Sequence, residues 1–372
     1  MPKIVAVIGL LLIAGGVRGN DNPGFRIELS KPVAVTVGAY GRVHSIGDGK
    51  YAFVYERNGA VCFRTSENAG RSWGKEVVMA KSFVHGEGAR NTRVYPANPE
   101  IAAISGGRLI CAFNWRPIRN RTNILHPYAI ALTISDDGGA TWQKPKTLYE
   151  ATNTTDGVSR GCYEPFVQEI AGKVRIYFSD ESPYVDGKRK FQNISYLESA
   201  DQGETWNKPV VYCYKPKARD GMPVALVLNG CNYVAIESNG RGTHLHPEIV
   251  REDGARFEPL QKARDWRKVY AGAPYLIATE NFLVLSYQTS TGIAVSPERV
   301  AVCEVVAMPK DEIKLCAFRG AVQPLTGGTH TGATLWNSLC ALGGDEFLIV
   351  SQQRGRIYHT RAKVIKTPQR HR

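Results

Sequence analysis

In the segment Gly107-Arg-Leu-Ile-Cys-Ala-Phe-Asn114 a short turn runs into an apolar strand, and repetition of this unit decides the fold. The unit occurs six times at intervals of roughly 50 to 65 residues, which is the period of a propeller blade or of another repeated β unit. The other copies are Gly49-Lys-Tyr-Ala-Phe-Val-Tyr-Glu56, Gly172-Lys-Val-Arg-Ile-Tyr-Phe-Ser179, Gly230-Cys-Asn-Tyr-Val-Ala-Ile-Glu237, Asn281-Phe-Leu-Val-Leu-Ser-Tyr287 and Asp345-Glu-Phe-Leu-Ile-Val-Ser351.

Another short strand precedes each copy, and it is often opened by a proline. Proline lacks the N–H that a sheet interior needs, so it marks the first residue of a strand. We expect these strands to begin at Arg42-Val-His, Asn98-Pro-Glu, Glu164-Pro-Phe, Met222-Pro-Val, Ala273-Pro-Tyr and Leu335-Trp-Asn. A third strand follows downstream, as in Ala129-Ile-Ala-Leu-Thr-Ile134, so each unit predicts a small antiparallel sheet.

Three of the third strands end in a turn of one type. These turns are Ser66-Glu-Asn-Ala-Gly-Arg-Ser-Trp73, Ser135-Asp-Asp-Gly-Gly-Ala-Thr-Trp142 and Ser199-Ala-Asp-Gln-Gly-Glu-Thr-Trp206. The Asp or Asn side chain bonds the amides of its own turn, Gly supplies a positive φ, and Trp packs on the blade. The pattern resembles the Asp-box of sialidases and related propeller proteins. Such a box caps a hairpin between outer strands and carries no catalytic information.

Together the repeats and turns predict an all-β fold, a six-bladed β-propeller with Asp-box turns and four antiparallel strands in each blade. A β-sandwich does not predict six evenly spaced repeats. Six units of about 60 residues use nearly all of the 372-residue chain, so we expect one domain over residues 20–372 and a monomeric protein.

The first residues are typical of a secretory signal peptide. Lys3 supplies a positive charge, an apolar run covers residues 4–14, and small residues follow up to Gly19. The run is too short to span a bilayer, so we predict a signal peptide over residues 1–19, a secreted or periplasmic protein and no stable membrane insertion. A buried first strand is the alternative.

Charge and cysteine content exclude two classes of function. The net charge of +13 is compatible with an acidic glycan, but the basic clusters are short and lack interleaved aromatics, so we expect no nucleic acid partner. None of the eight cysteines has the spacing of a zinc site, and most read as small buried hydrophobic residues. We therefore expect no metal and no cofactor, while one or two disulfides remain possible.

The architecture predicts where the polar residues meet. Innermost strands surround the channel of a propeller, so the starts of the first strands and the ends of the antiparallel second strands share one rim. Carboxylates, amides, arginines and aromatic rings converge there, which is what a carbohydrate site needs. The predicted substrate-binding residues are Arg42, Asn98, Trp115, Arg116, Asp180, Tyr275, Tyr287, Gln288, His330 and Trp336.

Glycoside hydrolysis needs two carboxyl groups that flank the cleaved bond. Glu164 and Glu237 are the leading pair, because they belong to neighbouring repeats and both fall at the predicted rim. For either residue alone, the alternative is an ordinary structural glutamate that is bonded to an arginine.

Several segments around these glutamates carry a family resemblance. They are Tyr163-Glu-Pro-Phe166, Ile176-Tyr-Phe-Ser-Asp-Glu181, Gln192-Asn-Ile-Ser-Tyr196, Gly221-Met-Pro-Val224, Ala273-Pro-Tyr-Leu276 and Ser286-Tyr-Gln288. With them, the chain from about residue 40 to 355 resembles glycoside hydrolase family 93. The resemblance implies an exo-acting, retaining α-L-arabinanase with Glu164 as acid/base and Glu237 as nucleophile. Asp220 and Ile236 depart from the Pro and Tyr that the family often has, which weakens the inference of substrate more than that of fold.

Two other functions remain open. A sialidase or other acidic-sugar hydrolase needs an arginine cluster, for which Arg42, Arg116 and Arg241 are candidates, and a nucleophile, for which Tyr287 is a candidate. A non-catalytic, lectin-like propeller would bind a glycan and release no sugar.

Overall fold

The computed structural model describes residues 24–88, 91–118, 126–152, 160–184, 191–242, 244–260, 270–289, 302–314, 316–325 and 333–368. The predicted signal peptide and His330 lie outside these residues. Within the described ranges, no helix has the length and apolar character needed to cross a membrane.

Strands dominate the described chain. They are β1 (Phe25–Leu29), β2 (Val33–Val37), β3 (Ala39–Ser45), β4 (Tyr51–Arg57), β5 (Ala60–Ser66), β6 (Val77–Lys81), β7 (Phe83–His85), β8 (Thr92–Ala103), β9 (Leu109–Pro117), β10 (Ala129–Ser135), β11 (Lys146–Glu150), β12 (Cys162–Ile170), β13 (Lys173–Asp180), β14 (Asn193–Ser199), β15 (Val210–Cys213), β16 (Asp220–Leu228), β17 (Cys231–Ser238), β18 (His246–Arg251), β19 (Arg256–Phe257), β20 (Ala271–Ala278), β21 (Phe282–Thr289), β22 (Val302–Pro309), β23 (Arg319–Val322), β24 (Thr334–Gly343), β25 (Glu346–Gln353) and β26 (Arg356–Lys366). A 3-10 turn, Lys310–Glu312, follows β22.

Six antiparallel sheets form the six blades of a propeller. Blades 1 to 5 are β3–β6, β8–β11, β12–β15, β16–β19 and β20–β23, each written from the innermost strand outward, and β7 adds to the inner edge of blade 2. Blade 6 is β24–β26 with β1 outermost. The innermost strands of successive blades pack side by side, and β24 packs on β3, which closes the ring. The predicted six-bladed propeller is confirmed.

The ring is closed by a strand from the start of the chain. The β1 strand pairs with β26 along its length, from Phe25 opposite Lys366 to Leu29 opposite Ala362. The Phe25 ring is 3% exposed and meets the Phe282 ring of blade 5 edge-on, with 5.1 Å between centroids. Blade 6 therefore contains both ends of the described chain, and its hydrogen bonds hold the ring shut.

The three repeated turns have the geometry that their sequences predict. Ser135 Oγ accepts the N–H of Gly139 at 2.9 Å, and Asp137 accepts the N–H of Thr141 at 2.9 Å. Equivalent bonds form in the turns that begin at Ser66 and Ser199. Gly139 has φ +93°, and a Cβ there would lie 2.2 Å from the Phe63 ring of blade 1. Glycine is therefore required, and each turn packs on the preceding blade.

All eight cysteines lie in the described part of the chain and none forms a disulfide. Seven are buried and Cys231 is partly buried, as expected for small apolar residues.

One backbone feature recurs at the start of every innermost strand. A residue other than glycine has a positive φ, between 48° and 53°, beside an irregularity in the pairing with the second strand. We call these the bulge residues: Tyr40, Asn98, Glu164, Met222, Ala273 and Trp336. The left-handed conformation costs an L-residue roughly 1–2 kcal/mol, so the surrounding structure must impose it.

Each second strand carries one polar residue at the matching position, on the strand next to the bulge of the following blade. We call these the latch residues: Glu56, Asn114, Ser179, Glu237, Gln288 and Gln352. At four junctions the latch accepts the backbone N–H of the bulge residue: Gln352 from Tyr40 (3.2 Å), Glu56 from Asn98 (2.7 Å), Ser179 from Met222 (3.0 Å) and Glu237 from Ala273 (2.9 Å). Neighbouring blades are thus joined at the mouth of the channel.

Replacing Phe25 should weaken the closure of the ring. We expect Phe25→Ala to lower the free energy of unfolding by about 3 kcal/mol, because a buried ring is lost from the junction of blades 5 and 6. Urea denaturation measures the change. Val33→Ala on the neighbouring β2, where the side chain is 62% exposed, should change stability by less than about 0.5 kcal/mol. Equal effects of the two substitutions would contradict the closure.

Candidate active site

The central channel is filled below its mouth by one residue from each blade. Two positions beyond the bulges lie Arg42, Glu100, Phe166, Val224, Tyr275 and Ser338. Arg42 Nε lies 3.4 Å from Glu100 Oε2, and His44 contacts the same carboxylate and the Tyr275 hydroxyl. Arg42, Glu100 and Tyr275 are each at most 3% exposed, so we call this network the plug that lies beneath the bulge residues.

Arg42 was predicted at the mouth, but Tyr40 occupies that position. Arg42 is 3% exposed, donates to the carbonyl of Trp336 at 3.0 Å, and lies with its Cζ 3.8 Å from the centre of the Tyr40 ring. The prediction slipped by two residues because blade 1 has Gly41 where four other blades have proline, so nothing in the sequence marks the bulge.

Glu164 is the bulge residue of blade 3. Its side chain accepts a hydrogen bond from Ser179 Oγ at 3.4 Å and lies 3.9 Å from Arg116 Nη2. Burial raises the pKa of Glu164 to about 7, with Arg116 and Arg219 acting against the rise and the negative charge of Glu237 adding to it. The carboxyl is therefore able to hold a proton near neutral pH.

Glu237 is the latch residue between blades 4 and 5. One carboxylate oxygen accepts the N–H of Ala273 at 2.9 Å, and the other accepts Arg219 Nη1 at 3.0 Å. Both donors favour a negative charge at this position. Glu164 and Glu237 thus lie within electrostatic reach of each other and in contrasting environments.

Two glycines allow the backbone to approach Glu237 closely. A Cβ at Gly272 would lie 2.7 Å from the Glu237 carboxylate and 2.6 Å from the Tyr270 hydroxyl. A Cβ at Gly221 would lie 3.3 Å from the other carboxylate oxygen and 3.0 Å from the amide nitrogen of Gln192. A larger residue at position 272 would displace either Glu237 or Tyr270.

Arg116 lies beside the Glu164 carboxyl and Arg219 beside the Glu237 carboxyl. Arg116 Nη2 donates to the Asn98 side chain at 3.0 Å, which holds the guanidinium beside Glu164. Burial opposes the charge of Arg219, but Glu237 and Glu164 together raise its pKa. Glu181 contributes in the same direction, and it also accepts the N–H of Gly161 at 2.9 Å.

An adjoining side of the mouth is apolar. The bulge residues Tyr40, Met222 and Ala273 form a buried cluster, and the partly buried Trp336 packs against it. The Tyr40 and Trp336 rings are 5.7 Å apart between centroids and tilted by 45°. The mouth therefore has a carboxylate-rich side next to an apolar one.

Three other predicted residues are engaged in the framework. Asp180 is buried and accepts the Tyr149 hydroxyl at 3.0 Å and the N–H of Ser182 at 2.9 Å. Tyr275 lies in the plug below the mouth, and Gln288 is buried at a latch position.

Trp115 and Tyr287 lie away from the carboxylates. Trp115 is 8% exposed, packs against Phe83 and Phe113, and lines a cleft of about 470 Å³ between blades 1 and 2. Tyr287 is 1% exposed in the apolar core, and its hydroxyl donates to Glu304 at 2.7 Å. Both side chains belong to strand faces that turn toward a neighbouring blade, and apolar periodicity alone does not reveal this.

The structure has five of the predicted residues at the mouth of the channel: Asn98, Arg116, Glu164, Glu237 and Trp336. The missed residues at the mouth are Tyr40, Ser179, Arg219 and Tyr270. Aligning the ends of the second strands would have found Ser179, because it matches Glu237 in the repeat. Among the described residues, no group of three or more His, Cys, Asp or Glu side chains is arranged to hold a metal ion.

Solved structures share this fold at low sequence identity. A protein of unknown function from Dyadobacter fermentans is 14% identical with a TM-score of 0.64, covering 92% of this chain and 100% of its own. An α-L-arabinofuranosidase from Fusarium graminearum, bound to an iminosugar inhibitor, is 15% identical with a TM-score of 0.64, covering 91% and 98%. A Hadza microbial sialidase is 14% identical with a TM-score of 0.60, covering 89% and 66%. No family model and no curated protein matches the sequence.

The raised pKa of Glu164 predicts that this residue lowers stability at neutral and alkaline pH. The unfolded chain deprotonates it near pH 4.3, and the folded chain near 7, so stability is lost as pH rises through this window. We expect Glu164→Gln to be more stable than the parent by about 1–3 kcal/mol at pH 8 and nearly equal to it at pH 4. Denaturant titrations across this range measure the difference, and a difference that does not change with pH would contradict the assignment.

Proposed function

We propose that this protein is a glycoside hydrolase that removes terminal neutral sugars from a glycan of the arabinan type. The observation that carries the proposal is the contrast between two carboxyl groups at one channel mouth. Glu164 has a pKa of about 7 and Glu237 is bonded by two donors. Two titratable groups with contrasting environments are the usual sign of an acid and its partner.

The surroundings of the two carboxyl groups suggest which one is the acid and which one is the nucleophile. Glu164 donates its proton to the glycosidic oxygen as the C–O bond breaks, so the leaving sugar departs as an alcohol. Glu237 attacks the anomeric carbon and forms a glycosyl ester, which requires the charge that Arg219 supports. Water then attacks the anomeric carbon, gives a proton to Glu164 and releases Glu237. Retention at the anomeric carbon is part of this proposal.

The charge balance favours a neutral sugar over an acidic one. Arg42, the candidate partner for a substrate carboxylate, is already engaged by Glu100 and by the carbonyl of Trp336. Arg116 and Arg219, which lie beside the two candidate carboxyls, face three carboxyl groups at Glu164, Glu181 and Glu237. An additional carboxylate from a substrate would meet repulsion at the position of cleavage.

The apolar side of the mouth complements a sugar ring. Tyr40 and Trp336 offer aromatic surface and Met222 offers a thioether, so the C–H face of a sugar can rest there while its hydroxyls meet Asn98 and Arg116. The same fold in an arabinofuranosidase and an arabinanase supports arabinose as the first sugar to test.

Removing either carboxyl should abolish sugar release. We expect Glu164→Gln to lose about 10²–10⁴-fold in kcat/KM on arabinan, and Glu237→Gln at least about 10³-fold. The general acid matters less when the leaving group is already stable, so Glu164→Gln should retain more of its activity on a 4-nitrophenyl arabinofuranoside. Release of arabinose by residues 20–372 and the variants is the measurement.

The matched control is Glu56→Gln. Glu56 is the latch of blade 1 and accepts the N–H of Asn98 as Glu237 accepts that of Ala273, so each substitution replaces a latch carboxylate by an amide that can still accept this bond. We expect it to keep most of its activity. Equal losses in Glu56→Gln and Glu237→Gln would show that a damaged latch, and not a lost nucleophile, explains the result.

Activity should fall as pH rises, because Glu164 must keep its proton to act as the acid. Because its pKa is about 7, kcat/KM on arabinan should fall tenfold for each pH unit above that value, as the acid loses its proton. Initial rates between pH 5 and 9 measure this decrease. The residual activity of Glu164→Gln should not show the decrease.

Two outcomes would replace the proposal with another function. Sialic acid release that survives both Gln substitutions would indicate a sialidase, and glycan binding without turnover would indicate a lectin.

A further inference from the structure

Three aromatic residues form a platform on the outer part of blade 3. The Tyr184 and Tyr214 rings are stacked, with 5.5 Å between centroids and 17° between planes. Phe191 meets Tyr184 edge-on at 6.2 Å. Tyr214 is 49% exposed, so much of its surface faces solvent. We call these three residues the tyrosine platform.

The platform lies at the same end of the blade as the candidate active site. Cys162 at the start of β12 pairs with Asp180 at the end of β13, which pairs with Asn193 at the start of β14. The next strand, β15, ends at Cys213 opposite Ile194. Tyr214 directly follows β15, Phe191 lies two residues before β14 and Tyr184 lies four residues after β13, so all three lie at the end of the blade where β12 begins and Glu164 is found.

The distance from the channel follows from the strand order. Tyr214 adjoins β15, three strand spacings outward from β12, which is roughly 14 Å at about 4.8 Å per spacing. A sugar bound at Glu164 cannot reach so far, but a chain of several sugars that leaves the mouth over blade 3 can.

Hydrogen bonds tie the platform to the candidate site. Gln192 is next to Phe191 in the chain. Its backbone carbonyl accepts the N–H of Asp220, and its backbone N–H donates to the carbonyl of Ala218. These two bonds hold the residues on either side of Arg219. The N–H of Tyr184 donates to the carbonyl of Glu181, whose carboxylate binds Gly161 and Tyr163 beside Glu164. The platform is therefore continuous with the walls of the site.

We propose that the tyrosine platform is a distal subsite that binds the neutral glycan chain several sugars away from the cleaved bond. The half-exposed Tyr214 ring, stacked on the partly buried Tyr184, offers a flat aromatic surface that matches the C–H face of a sugar. The subsite would make the protein prefer long chains. This inference rests on the proposed function for the direction and chemistry of the chain.

Binding to short and long chains tests the subsite. Two proteins are compared, and both carry Glu164→Gln, which prevents turnover. One keeps Tyr214 and the other carries Tyr214→Ala. Arabinobiose and arabinohexaose are titrated into each protein by calorimetry. We expect Tyr214→Ala to weaken hexaose binding about 5- to 30-fold and to leave biose binding within about twofold. Tyr214→Phe, which keeps the ring, should behave like the parent.

Val211→Ala is the matched structural control, because Val211 is 52% exposed on β15 and carries no ring. Unchanged hexaose binding in Tyr214→Ala, or equal losses for both ligands, would overturn the subsite. The two proposals fail separately. Hydrolysis of arabinan that Tyr214→Ala leaves unchanged at every chain length refutes the subsite alone. Tyr214-dependent binding of hexaose without any hydrolysis by the parent refutes the proposed activity alone, and no binding of either sugar refutes both.

Discussion

The hydrogen bond between a bulge and the latch of the preceding blade is the constraint on which the mouth of this propeller depends. Each bulge residue holds a left-handed conformation that costs free energy, and the bulge recurs in all six innermost strands. The buried N–H of a bulge residue needs an acceptor, and at four junctions the neighbouring second strand provides one, as Gln352 does for Tyr40. At these junctions the bond that joins two blades also holds the latch side chain at the mouth of the channel.

The candidate site arises from this framework without any additional element. Glu164 is directed into the channel because it is a bulge residue, and Glu237 reaches it because it is a latch residue. Glu56 is also a latch glutamate and accepts the same kind of N–H, but Glu237 additionally receives Arg219. Glu237 therefore differs from Glu56 by a direct hydrogen bond from Arg219, whose charge Glu164 also supports.

The sequence contains most of the fold and about half of the mouth. Even spacing of apolar strands, prolines after the bulges and the three turns are local signals, so the blades were predictable. The position of Arg42 was not, because Gly41 gives no signal of a bulge. Tyr287 was misplaced for a different reason, since its strand is apolar on both faces and periodicity cannot tell the channel side from the side of the next blade. Arg219 precedes its strand, where only tertiary contacts fix a side chain.

The fold itself does not require carboxylates at either position. Ser179 and Gln352 serve as latches without charge, and four bulge residues, Tyr40 among them, are apolar. Glu164 adds to the strain of its backbone the cost of a buried charge beside Glu237, which its raised pKa records. A neutral side chain would satisfy the geometry and avoid this cost. Where a structure keeps an expensive group that its architecture does not need, chemistry is the better explanation of that group than stability.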